Sequence, residues 1–188
     1  MITFILSIIA YAIFGLYTIL VFSLFGVPSS YSATFYLLNE KKKGLGILFP
    51  LMSALVVFLV MPNWFVLSDS VLPLFTWLCF FAGGGLLLVA ASPFFKEQTK
   101  DCGSPLKDLI YRSFHGQGLV HTIGALLAMI SSVTWMVLGK YYLLLIDWSL
   151  IVLLAMFSLN IKKQISNITF WVEFLIFNLI LSLNVLIS

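Results

Sequence analysis

Three ionisable residues stand inside or beside long apolar runs of the chain: His121, Asp147 and Glu173. In such settings ionisable groups relay protons, gate a path or pair with one another between helices. The plainer alternative is that each is hydrated near an interface or hydrogen-bonded to a neighbouring helix. Asp147, in YYLLLIDWSLIVLL, comes seven residues after Lys140, roughly 10 Å along a helix at 1.5 Å per residue. Glu173, in NITFWVEFLIFNL, lies at a similar depth from the opposite side. At those depths the two carboxylates are not expected to meet.

His115 and His121 are the two histidines of the chain, six residues apart. On a helix that spacing turns them about 120° from each other. Metal-binding histidines on one helix want i and i+4, and two histidines fall short of a zinc site without further ligands. A haem held between two histidines needs them on facing helices. We therefore expect no metal and no other cofactor. His115 reads as a loop residue, and His121 as a hydrogen-bonding residue at a helix end. Its expected partner is a hydroxyl of the Ser29–Tyr36 stretch or Glu173.

The stretch itself is VPSSYSATFYLLNEKKKG. Ser29 or Ser30 can cap a helix, and Tyr31, Phe35 and Leu38 share one face. Ser32, Tyr36 and Asn39 share another. One reading is an interfacial elbow whose Lys41, Lys42 and Lys43 sit among anionic headgroups. The other is a hydroxyl-lined patch facing a cavity between helices. Asp147, Glu173, His121, Ser29, Ser30, Ser32 and Tyr36 are thus the candidate lining of a polar cavity.

The elements that must position these residues follow from composition. The chain of 188 residues is 62% hydrophobic and 9% charged, with a mean hydropathy of +1.12. A soluble domain carries roughly 25% charged residues, so this chain cannot cover its surface in water. Its apolar residues fall into six blocks, about 2–25, 45–61, 71–92, 118–138, 141–159 and 168–187. Each suits a helix crossing a bilayer, which needs around 20 residues. Barrel strands of about ten alternating residues are absent. The expectation is an all-α, polytopic membrane protein: one domain over residues 1–188, a bundle of six transmembrane helices.

Nine of the ten basic residues fall on one side of that arrangement: Lys41–Lys43, Lys96, Lys100, Lys107, Arg112, Lys162 and Lys163. Only Lys140 lies on the other, because both termini and the expected loop around Asn63 carry none. Basic residues stay cytoplasmic, so both termini are expected outside, in a bacterial inner membrane. The net charge of +3 reflects that retained side, not nucleic-acid binding. The first block lacks a basic leader and is too long for a signal peptide, so it reads as an uncleaved span despite the small residues of SYSA. The NIT at 167–169 falls on the cytoplasmic side and reads as coincidental.

In the longest polar stretch, Ser104-Pro105 resembles a helix start. Leu106, Leu109, Ile110 and Phe114 then form the stripe of a short amphipathic helix on the membrane surface. Cys79 and Cys102 should lie at different depths and are not expected to pair, which leaves Cys102 as the only candidate reactive thiol. Gly124, Ala128 and Ser132 offer a small-residue face for close helix approach. Gly83–Gly85 offer either contact or a weak point, and Pro50 should bend the second span.

The run Pro28-Ser29-Ser30-Tyr31-Ser32-Ala33-Thr34-Phe35-Tyr36 after the first span, with Val120-His121 opening a later one, resembles a group of small multi-pass proteins. They are uncharacterised proteins of bacteria and their mobile elements. The resemblance implies membrane residence and no particular chemistry.

An enzyme is the least supported class. No G-x-S-x-G, H-E-x-x-H, P-loop or dinucleotide fingerprint is present, and no catalytic residue is assigned. Two readings remain. One is a non-catalytic membrane subunit or scaffold, with membrane lipid and other membrane subunits as partners. The other is a small-solute or ion transporter whose helices enclose a polar cavity.

Overall fold

The computed structural model describes residues 2–92 and 117–186. The described residues are helical, without strands. In chain order the helices are α1 (Ile2–Phe25), α2 (Thr34–Lys41), α3 (Leu48–Val71), α4 (Trp77–Ala91), α5 (Gln117–Leu138), α6 (Tyr142–Ser158), the single turn α7 (Ile161–Gln164) and α8 (Ile168–Leu186). Short 3-10 turns at Leu45–Ile47, Pro73–Phe75 and Ile165–Asn167 lead into α3, α4 and α8. His115, Cys102 and the expected helix after Ser104 lie outside the described residues.

Five helical stretches are long and apolar enough to cross a membrane: Ile2–Phe25, Leu45–Val71, Pro73–Ala91, Gly118–Leu138 and Ile161–Leu186. They mark the chain as an integral membrane protein. The remaining apolar helix, α6, has 17 residues, about 25 Å of helix.

Two expectations about the second span need correction. It does not end at Met61 in a loop around Asn63; α3 runs through Pro62 to Val71. A proline inside a helix forfeits one backbone hydrogen bond, but Trp64 and Leu67 beyond it are buried. Pro50 does not interrupt the span either. It is the third residue of α3, in the first turn, where its missing N–H has no helical acceptor to lose. The break before α4 falls at Leu72, whose N–H bonds back to Ser68 O at 2.8 Å.

The turn from α5 to α6 is a Schellman closure. Tyr141 N–H reaches Met136 O at 2.7 Å and Lys140 N–H reaches Val137 O at 3.1 Å. Both satisfy carbonyls that a helix end leaves open. Lys140 takes the left-handed position, with φ of 64°. Tyr141 stacks on Trp135, with centroids 5.7 Å apart, which closes α6 back against α5.

Close approach defines the α4–α5 contact. A Cβ on Gly85 would lie 2.4 Å from Gly124 O and 2.6 Å from Ala128 N, and one on Gly124 would lie 2.7 Å from Gly85 O. The two backbones meet where the small residues allow it. Gly84, between two buried neighbours, has nothing within 4 Å of an added Cβ.

The centre of the bundle is α8. Eleven of its 19 residues are buried, against six of 24 in α1 and two of 17 in α6. It carries a polar key for each neighbour. Asn178 Oδ1 accepts from Tyr11 OH at 2.9 Å, from α1. Asn184 accepts from Asn63 Nδ2 of α3, through its carbonyl at 3.0 Å and its side chain at 3.2 Å. Ser182 Oγ accepts from Trp148 Nε1 of α6 at 2.9 Å. Trp148, near the middle of α6, meets both Phe174 and Ser182 of α8, and the short α7 turn joins the two helices, the arrangement of an antiparallel helical hairpin.

Candidate functional site

Glu173 sits in the second turn of α8, and three elements converge on it. The first is the elbow between α1 and α2, which lies along the start of α8. Val27 O accepts from Asn167 Nδ2 at 3.3 Å. Ser29 O accepts from Phe170 N–H at 3.1 Å, one of the four amides that a helix start leaves open. Tyr31 N–H then donates to Glu173 Oε2 at 2.5 Å. Residues 27, 29 and 31 thus engage residues 167, 170 and 173. Alternate residues of the elbow follow one side of the helix.

Tyr31 fixes this segment. Its ring is fully buried and stacks on Phe170 with centroids 4.6 Å apart. Its hydroxyl bonds the Thr18 hydroxyl at 2.7 Å. Burial pushes the Tyr31 phenol well above its ordinary range, the Thr18 bond pulls it back, and the nearby Glu173 charge pushes it up further. The phenol therefore stays neutral.

The second element is α5. His121 Nε2 lies 3.3 Å from Glu173 Oε1, and both side chains are more than nine-tenths buried. The third is the end of α4, where Ser92 O lies 3.0 Å from His121 Nδ1. A carbonyl only accepts, so Nδ1 carries the proton. Nε2 then faces the carboxylate. One His–Glu contact therefore links the elbow, α4, α5 and α8.

Beside the pair lies a cavity of about 240 Å³ between α5 and α8. Apart from His121, Glu173 and the threonines Thr122 and Thr169, its walls are apolar, with Leu126, Met129, Val172 and Ile176 among them.

The candidate residues from the sequence separate accordingly. His121 and Glu173 meet, so Glu173, rather than a hydroxyl of the elbow, is the partner that faces His121. Ser30 and Ser32 are buried close by, but their hydroxyls serve the elbow. They bond each other at 3.0 Å, and Ser30 Oγ accepts from Ala33 N–H at 3.0 Å. Such local bonds are the usual use of serine in a turn. The Ser29 side chain is exposed, and only its carbonyl takes part. Tyr36 is half-buried on α2, edge-on to Phe35. Asp147 is exposed on α6, away from the pair.

Sequence reasoning missed Ser92 and the Tyr31 amide, because a backbone partner has no side-chain signature. It also passed over the amide and hydroxyl keys of α8 and the Trp135 Nε1–Ser68 Oγ bond of 2.8 Å. Asparagines in an apolar run were a legible signal for some of these. Ser53 Oγ and Trp64 Nε1 are buried without a hydrogen-bond partner among the described residues. Among the described residues no three His, Cys, Asp or Glu side chains gather as a metal would need.

Together these features define a helical membrane protein with a buried His–Glu pair near the start of its central helix. No family model, no curated protein and no solved structure matches the chain.

Proposed function

We propose that this protein is a non-catalytic membrane subunit that crosses a bacterial cytoplasmic membrane six times, with both termini outside. One observation carries the reading: buried polar groups of the long helices pair off across helix contacts instead of converging on a water-filled path. Tyr11–Asn178, Asn63–Asn184, Ser68–Trp135 and Trp148–Ser182 each close on a neighbour. The one cavity beside an ionisable pair is largely apolar.

Six crossings are supported by α6, whose 17 residues reach the lower limit for a span and run antiparallel to α8. Alternation then puts the elbow, Ser92, His121 and Glu173 at the cytoplasmic end, with Lys41–Lys43, Lys162 and Lys163. Lys140 stands alone at the other. In a Cys102→Ser background, where Cys79 is buried, a cysteine at the exposed Ser70 should react with an impermeant thiol reagent on intact cells. One at the exposed Ser166 should react only after permeabilisation. The reverse pattern would overturn the orientation.

The second reading, transport of a small solute or ion, draws on the His121–Glu173 pair beside its cavity. Proteoliposomes decide between the two. The subunit reading expects proton, sodium and potassium leak no faster than in empty vesicles. A flux that Glu173→Gln abolishes would establish transport instead.

A further inference from the structure

Asp147, like Asp69 in the last turn of α3, is an ionisable residue that the bundle leaves exposed. Among the described residues it has no hydrogen-bond or ion-pair partner, and its side chain is exposed on α6. The helix around it is the least covered of the long helices, with only Val152 and Met156 buried. Leu143, Ile146, Leu150 and Leu154, one turn to either side or two beyond, are each about half exposed or more. In a protein that crosses the membrane this is a lipid-facing surface with a carboxylate set into it. Asp147 lies five residues into α6 from Tyr142, about 7–8 Å of helix, and a short side chain cannot span that distance back to water. An acidic residue in a span costs a few kcal/mol unless it is paired or reaches a water-filled cavity.

The geometry points to a docking surface on α6, centred on Asp147, for a transmembrane helix of another protein carrying a lysine or arginine at the same depth. Charge complementarity sets the partner's chemistry: a carboxylate among leucines selects a cation that is equally costly alone. The described part of a second copy offers no such cation within a span. Among the described residues every lysine lies at a helix end or in a turn: Lys41–Lys43, Lys140, Lys162 and Lys163. None stands within a span where it would meet Asp147 across a parallel interface. The surface rests on the subunit reading and gives that subunit the class of its partner.

The test uses the full protein in liposomes and two fluorescent host peptides. Both are polyleucine transmembrane helices, one with a single lysine placed at the depth of Asp147 and one without. Energy transfer should show the lysine peptide binding about tenfold tighter or better, and Asp147→Leu should erase the preference. Asp147→Leu removes only an exposed charge, so the fold should survive, and an unchanged melting curve checks that. Equal binding of the two peptides, or a preference that persists in Asp147→Leu, would overturn the proposal. So would self-association of the wild type that Asp147→Leu abolishes, since the surface would then belong to a second copy. Glu173-dependent flux would count against the subunit reading alone, and equal binding of the two peptides by the wild type against the docking surface alone.

Discussion

Glu173→Ala should be the most destabilising single substitution among the polar residues of the bundle, costing about 3–5 kcal/mol, as breaking a buried pair does. The carboxylate is the acceptor for Tyr31 N–H and the group facing His121 Nε2. Its removal leaves a buried amide and a buried ring nitrogen without their partner. Glu173→Gln should retain much of the stability. Its amide oxygen can still accept from Tyr31, and its NH2 can donate to a neutral His121. His121→Ala should fall between the two, because Glu173 keeps the elbow. Melting in detergent, followed by tryptophan fluorescence, ranks the three variants, and a double-mutant cycle isolates the His–Glu coupling. If Glu173→Ala melted with the wild type, the pair would not hold the elbow to α8.

The second large effect is expected between α4 and α5. Gly85→Ala puts a methyl 2.4 Å from one backbone atom and 2.6 Å from another. Neither can swing aside as a side chain would, so the helices must part. Overpacking of this kind costs about 1–3 kcal/mol. Gly84→Ala is the matched control, one residue away with open space around it. It should be neutral or gain up to about 1 kcal/mol from helix propensity. Equal melting temperatures for the two variants would mean that α4 and α5 are not in backbone contact.

The contrast between these glycines marks how far the sequence could be read. The GGG run and the small face of α5 were visible as letters, and the small-xxx-small rule named Gly124 and Ala128 correctly. Which of three consecutive glycines faces α5 depends on helix rotation. A helix apolar on every side carries no stripe to set that rotation. The same absence hid the exposure of Asp147, since leucine suits lipid and protein interior alike. The apolar blocks were legible because bilayer thickness fixes their length. The block that failed was 45–61, which stopped short of the expected loop around Asn63, whereas α3 runs on to Val71. Buried bonding of Asn63 to Asn184 carries the helix past Pro62. For the site, the partner of His121 was narrowed to two options by chemistry. The geometry selects Glu173 because the serines are occupied with their own turn.

The order of the helices along the chain bears on how the bundle is made. Synthesis runs from the N-terminus, and α8 follows every helix that leans on it. Until it enters, Tyr11, Asn63, Trp148, His121 and the Tyr31 amide have no α8 side chain to meet, and the Phe170 ring is not there for Tyr31 to stack on. The earlier helices have contacts of their own, such as the Gly85–Gly124 approach and the Trp135–Ser68 bond, but this set of polar groups is completed only when α8 enters. On that order the arrival of α8 would be the step that closes the bundle. A quality-control protease that recognises unpaired polar groups within the membrane would have its window before that step and lose it afterwards.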